Sequence, residues 1–228
     1  HITGRGKKGG ISLRKKKTDC FTCFCFFLIT LSIFFFLRLT YGMQEEKQQY
    51  TALVSLQGLS YDQDFLKNAS KIKGMQQIWP VVEIPVTIRI DDYTKNTVFN
   101  GIDLNAFTQI SNDHTIFGST PLLLLGNNAL ENMKDSNGHI ISKKQQQKYL
   151  QMGENLEITY TLTDASDPVF LPCKVAAILP GDNDQIYIPF SQAGNLNFET
   201  GSGLNVTKVF LKVKGKSNFE KAKHLIGG

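Results

Sequence analysis

The side chains able to do chemistry are few, and their spacing does not assemble them. His1, His114, His139 and His224 are scattered, and none is read with a ligand partner three or four residues away, so no metal site is expected. Gly215-Lys216-Ser217 resembles the end of a phosphate-binding loop. That loop needs a glycine at position 210, where this chain has Phe, so its amides cannot cradle a phosphate. Asp182-Asn183-Asp184 has the oxygens for a calcium ion, but the rest of the calcium-loop pattern does not follow, and a tight turn between strands is expected. No serine sits in a Gly-x-Ser-x-Gly elbow. Cys173, between Pro172 and Lys174, reads as a strand residue rather than a nucleophile. Asp62/Asp64 and Glu45/Glu46 fit solvated faces. Asn68-Ala69-Ser70 and Asn205-Val206-Thr207 match glycosylation sequons, which would matter only in a eukaryotic secretory pathway. The expectation is therefore no catalytic residues, no cofactor-binding residues and no metal ligands, and a protein that is not an enzyme.

Behind these residues stands an uneven distribution of charge and cysteine. The 228 residues carry 25 Lys and Arg against 20 Asp and Glu. Residues 1–19 hold seven of the basic residues (Arg5, Lys7, Lys8, Arg14, Lys15, Lys16, Lys17) and one acid, Asp19. The remainder is close to neutral, with 18 basic and 19 acidic residues. Nucleic-acid binding needs a basic face on the folded part, so no nucleic-acid partner is expected. Three of the four cysteines, Cys20, Cys23 and Cys25, lie in an apolar run. They read as small apolar fillers rather than metal ligands. Cys173 is the fourth, so the folded part has no internal disulfide available and must hold by its core alone.

The apolar run is the strongest signal. Cys20 to Leu37 is 18 residues without a charge, Pro or Gly. As a helix it covers about 27 Å, roughly the hydrocarbon thickness of a bilayer. Its Thr and Ser hydroxyls can bond back to the helix backbone. The basic cluster before it places the N-terminus in the cytoplasm by the positive-inside rule, and everything after Arg38 outside. The rival reading is a cleaved signal peptide, with Thr40-Tyr41-Gly42 as a mediocre cleavage site. Such peptides usually have shorter apolar cores. The expected organisation is a basic cytoplasmic tail at 1–19, a transmembrane helix at 20–41 and an extracytoplasmic domain at 42–228.

Within that domain the periodicity alternates between helix and strand. Met43 to Tyr50 suits a helix continuing out of the membrane. Asp62 to Gly74 has helical spacing at Phe65, Leu66, Ala69 and Ile72. Gln77 to Ile90 switches to strand chemistry, with Pro80 and Pro85 suggesting an edge or a bulge. A turn at Asp91–Asn96 and a strand from Thr97 to Ile102 make a hairpin. Strands are expected at Pro121–Leu125, Leu156–Leu162, Val169–Leu179, Gln185–Phe190 and Val206–Val213. Asn127 or Asn128 can cap a helix reaching about Lys134, and Lys134–Gln151 is a solvated loop or inserted helix. Asn218–Ile226 is helical. The pattern predicts an α+β fold with mostly antiparallel pairing.

The order of these segments resembles the start of an ABC transporter permease of the MacB/FtsX/LolCE type. Ile72-Lys73-Gly74-Met75-Gln76-Gln77-Ile78-Trp79-Pro80-Val81 resembles that family's approach to its first long strand. Val98-Phe99-Asn100-Gly101-Ile102-Asp103 resembles its hairpin return. Leu123-Leu124-Leu125-Gly126-Asn127-Asn128-Ala129-Leu130 looks like its strand-to-helix step. Gly153-Glu154-Asn155-Leu156-Glu157-Ile158, Cys173-Lys174-Val175-Ala176-Ala177-Ile178 and Gln185-Ile186-Tyr187-Ile188-Pro189-Phe190 are similar to three further strands, in order, over about residues 12–226. Ala177 stands where the family usually has Gly, and Lys134–Gln151 is longer than typical.

The resemblance implies a MacB-like extracytoplasmic domain with two parts. A ferredoxin-like subdomain would be built from about 44–100 and 204–228, with a β-rich insertion at about 101–203. It implies a permease subunit whose outer domain couples cytoplasmic ATP hydrolysis to export or mechanical work. The implied partners are the lipid bilayer, a cytoplasmic ABC ATPase and a second permease chain. No cofactor is expected in this chain, with ATP on the separate ATPase. A full permease of this type has three further spans, so the chain is expected to be a fragment. The alternative is a stand-alone membrane-anchored binding or adhesion module.

Overall fold

The computed structural model describes residues 12–107, 120–163, 166, 168–199 and 205–227, with side chains from residue 26 onward except 197–199. Most of the basic tail, His1, His114 and the side chains of Cys20, Cys23 and Cys25 lie outside the described residues. The chain divides into two units, His1–Gln48 and Gln49–Gly228.

The first unit is a helix, α1 (Ser12–Lys47), of 36 residues. Phe26–Lys47 is long and apolar enough to cross a membrane, by length and composition. Phe26, Phe27, Phe34, Phe35, Phe36 and Leu37 are all exposed, so this stretch is apolar on every side. Thr30 Oγ1 donates to the carbonyls of Phe26 (3.0 Å) and Phe27 (2.9 Å), and Thr40 does the same with Phe36 and Leu37, so these hydroxyls are satisfied within the helix. The helix stops at Lys47. Tyr50 is the second residue of a strand, not the end of a helix as its polar surroundings suggest.

The second unit is mixed α/β. Its strands are β1 (Gln49–Ser55), β2 (Met75–Ile90), β3 (Tyr93–Ile102), β4 (Leu122–Gly126), β5 (Ile158–Leu162), β6 (Leu171–Leu179), β7 (Ile186–Pro189) and β8 (Val206–Lys214). Its helices are α2 (Gln63–Ala69), α3 (Lys143–Met152), α4 (Phe190–Glu199) and α5 (Lys216–Gly227). The strands form one eight-stranded sheet in the order β1-β8-β2-β3-β7-β4-β6-β5, and β5 pairs again with β2. Six strands therefore close into a ring, while β8 and β1 extend from the first half of β2 as an open flap. Pairing is antiparallel except between β3 and β7 and between β4 and β6.

Strand β2 belongs to both parts. Met75–Val82 pairs with β8, and Val86–Arg89 pairs with β5. A register shift at Val81/Val82 marks the change of partner. Pro85 has no amide hydrogen, and it falls in the gap between the two partners, where β2 needs no donor on that side. The prolines thus mark a bulge and a handover inside the sheet.

Three cores follow from this layout. In the ring, Val82, Ile84, Val86, Ile88 and Ile90 alternate inward and meet Phe99, Leu123, Leu125, Ile158, Val175, Ile186 and Ile188. Helix α4 packs at Gly101, where any Cβ would collide with Ala193. Tyr149 of α3 donates to Asp91 Oδ2 at the β2–β3 hairpin (2.6 Å). On the flap, Val209, Leu211, Val213 and Val54 face Ala69 of α2 and Phe219, Ala222 and Ile226 of α5. The third core, around Trp79, Val81, Leu124, Tyr187 and Phe210, lies between the first two.

The expected helix after Asn127 is absent: residues 127–132 form turns. Asn127 N–H donates to Leu179 O (3.1 Å) and Asn128 N–H to Asn183 O (2.8 Å), while Ala129 and Glu131 N–H close local turns onto Gly126 O (2.9 Å) and Asn128 O (3.0 Å). The helix in Lys134–Gln151 is α3, capped by Ser142.

Candidate functional site

On β8, alternation sends Val209, Leu211 and Val213 to the helices and Lys208 and Phe210 to the opposite face. The register Leu53↔Phe210 and Ser55↔Lys208 puts matching β1 residues beside them. Among the described residues, no helix covers this face. Across from it lies the connection between β6 and β7, and between the two is a cleft of about 640 Å³. It is lined by Leu53, Ser55, Lys208 and Phe210 on the flap, and by Phe107, Asp182, Asn183, Asp184 and Tyr187 on the ring.

The floor is aromatic. Phe107 sits 4.9 Å from Tyr187 and 5.3 Å from Phe210 between ring centroids, and Tyr187 meets Phe210 edge-on at 6.1 Å. Trp79 backs Phe210 at 6.1 Å. Burial raises the Tyr187 phenol to about 12, with an Asn183 hydrogen bond opposing and Asp184 assisting, so it stays protonated at neutral pH.

The wall is the Asp182-Asn183-Asp184 segment, held from behind. Gly126 lies so close to the Asn183 carbonyl that a side chain at 126 has no room. Asn128 Nδ2 donates to Asp182 Oδ1 (2.6 Å), Gln185 N–H to Asn183 Oδ1 (2.9 Å), and Gln185 Nε2 to Asp184 Oδ1 (2.6 Å). Gln185 is fixed in turn, its Oε1 accepting from the buried Asn100 Nδ2 (3.2 Å). Lys95, half-buried, donates to Ala129 O (2.8 Å); burial lowers its pKa while Asp184 and Glu131 pull it back up.

The one cation in the lining is already engaged. Lys208 Nζ lies 2.6 Å from Glu83 Oε1, whose Oε2 accepts from Thr207 Oγ1 (2.5 Å). Asp182 and Asp184 thus leave the cleft wall acidic.

The other residues weighed from the sequence are not brought together. Cys173 is buried in β6, and burial pushes its thiol far above the usual range, so it is unreactive. Asp62 caps α2 by accepting from Phe65 N–H (2.8 Å). Gly215 ends β8 with positive φ, and its carbonyl accepts from Phe219 N–H (2.9 Å) in the first turn of α5. His139 does have a carboxylate four residues away: Asp135 Oδ2 lies 3.1 Å from its Nδ1, an exposed pair with no third ligand among the described residues. The acidic residues do not make the tight turn between strands that their types suggest: 180–185 is a six-residue connection, bent at 181–182, that passes over β4 from β6 to β7. What sequence reasoning missed was its place opposite Phe210, nearly thirty residues later and on the far side of α4.

No protein-family model matches this chain. No curated protein matches it either. Solved structures do. One is the extracellular domain of the noncanonic ABC-type transporter YknZ from Gram-positive bacteria, at 12% identity and TM-score 0.38, covering 78% of this chain and 92% of that one. Another is the periplasmic region of MacB from Actinobacillus actinomycetemcomitans, at 14% identity and TM-score 0.40, covering 78% and 84%. Each is a protein this chain is similar to.

Proposed function

We propose that this chain is a permease subunit of an ABC transporter, anchored by α1, with Gln49–Gly228 on the outer side of the membrane. The observation that carries the reading is the join: a 22-residue apolar span ends at Lys47, and the first strand of the domain begins at Gln49. The order of motifs from Ile72 to Phe190 supports the same reading, because it resembles permeases that carry such a domain after their first span. On this view the chain works without a catalytic side chain. It pairs with a second permease chain and a cytoplasmic ATPase, and nucleotide-driven movement of the membrane helices reaches the outer domain through β1.

The test is purification of the full chain from its native membranes after mild crosslinking. The expected result is an ATPase subunit with an intact phosphate-binding loop in the same complex. A change in Trp79 emission on trapping that ATPase with ATP and vanadate is also expected; Trp79 is the only tryptophan of the chain. A chain that purifies without an ATPase, with emission indifferent to nucleotide, supports the stand-alone binding module instead.

A further inference from the structure

The cleft between the flap and the β6–β7 connection has the volume of a small-ligand site, and its lining is not neutral in kind. Phe107, half-buried, reaches the lining from a cluster it shares with Tyr187 and Phe210, which are themselves only 3% and 5% exposed. The electron-rich faces of such rings attract cations and also accept an apolar body. Asp182 and Asp184 stand on the same wall. Each has one carboxylate oxygen engaged by an amide, and no ion pair is formed by either among the described residues. Of the cations nearby, Lys208 is paired with Glu83, and half-buried Lys95, whose charge is felt by Asp184, donates to Ala129 O rather than to a carboxylate. The segment carrying the two carboxylates is braced by Asn128, Gln185 and the close Gly126–Asn183 contact, so the acidic wall is held in place before a ligand arrives.

We infer that this cleft binds a small amphiphile whose ammonium or guanidinium group faces Asp182 and Asp184 and whose apolar body lies against Phe107, the half-buried ring of the cluster. The site stands on the cleft alone and holds whether or not the chain works with an ATPase. An anion is disfavoured by the two aspartates, and a neutral apolar molecule leaves them without a partner.

Trp79 is the natural reporter, since it packs on Phe210 behind the cleft floor. The experiment titrates the full chain in nanodiscs with 4-phenylbutylamine, 4-phenylbutanol and 4-phenylbutyrate, three probes with one body and three charges. Trp79 emission is read throughout. The expected result is saturable binding of the amine, at least fivefold tighter than the alcohol and tighter still than the carboxylate. In Asp182→Asn/Asp184→Asn, with an unchanged circular dichroism spectrum, the amine should fall to the alcohol's affinity while the alcohol is unaffected. The single variant Asp184→Asn, whose side chain bonds only its neighbour Gln185, should show a partial loss if the double variant does not fold. Equal affinity for the three probes, a preference for the carboxylate, an amine preference that survives both variants, or no saturable response to any probe overturns the inference.

Discussion

The ring and the flap are made from the same strand and solve the same problem differently. In the ring, β2 finds a partner on each edge, and its inward residues Ile84, Val86, Ile88 and Ile90 are at most 2% exposed. Closure removes free edges, and every second residue has one possible destination. On the flap, β8 and β1 add to the first half of β2, and two helices cover one face only. The opposite face is left to the ring, which meets it with aromatics and an acidic connection rather than with a helix. A closed sheet buries itself. An open one leaves a face that something else must use, and in this molecule that face is the cleft.

If β2 makes the two parts one cooperative unit, a hole in either should lower the same transition. Phe99→Ala in the ring should cost about 3–5 kcal/mol, and Leu211→Ala on the flap about 2–5 kcal/mol. Denaturant unfolding of the full chain should show each variant shifting one shared transition. Two transitions, each moved by only one variant, would separate the regions.

Alkaline pH probes the seam. Tyr187 is raised in the folded state to about 12 from an ordinary 10.0. Its stabilising contribution is fully present below pH 10, the unfolded value, and is lost as pH rises through the folded value. The loss should reach up to about 2–3 kcal/mol, given 1.36 kcal/mol per unit. Tyr187→Phe should reduce the alkaline slope of unfolding measured from pH 9 to 12, the remainder coming from the raised Cys173, Tyr61 and Tyr149; an unchanged slope assigns the whole loss to those groups.

Gly101→Val tests the seat of α4 on the ring. It should cost about 1–3 kcal/mol through overpacking against Ala193. Hydrogen exchange should rise in α4 and leave α5 on the flap unchanged. The smallest effect is expected for Glu83→Gln. This removes the charge facing Lys208 across the join of ring and flap. Both side chains are about a quarter exposed, so the loss should be no more than about 1 kcal/mol and should shrink in high salt.

Much of this was legible in the residues, because the signals are local. The apolar run, the alternation of Val206–Val213, the strand from Gln77 to Ile90 and the helix at Asn218–Ile226 each announce themselves by period. Gln49 and Tyr50 read as the end of a helical continuation, Met43–Tyr50, yet they open a strand, Gln49–Ser55, because β8 offers it an edge. Helix α4 contains Gly194 and Asn195, weak helix formers. It is held instead by Ala193 on Gly101 and by the buried Gln192, whose amide bonds both Leu122 N–H (2.9 Å) and Thr120 O (3.0 Å). Residues 127–132 have a good cap but close only short turns, Ala129 N–H to Gly126 O and Glu131 N–H to Asn128 O, before Asn132 takes positive φ and ends them.

From its sequence alone this protein is determined to carry one helix able to span a membrane and an α+β domain without a disulfide. Composition and period act within a few residues, so they survive in the linear chain. Only the tertiary structure decided that β2 is shared, that six strands close, and that Asp182 and Asp184 face Phe107, Tyr187 and Phe210 across a cleft. Those facts depend on pairings between residues scores of positions apart, such as Val86 with Leu162 and Trp79 with Phe210. Long-range pairing is chosen by what the whole core can bury together, and no short stretch of sequence contains that choice.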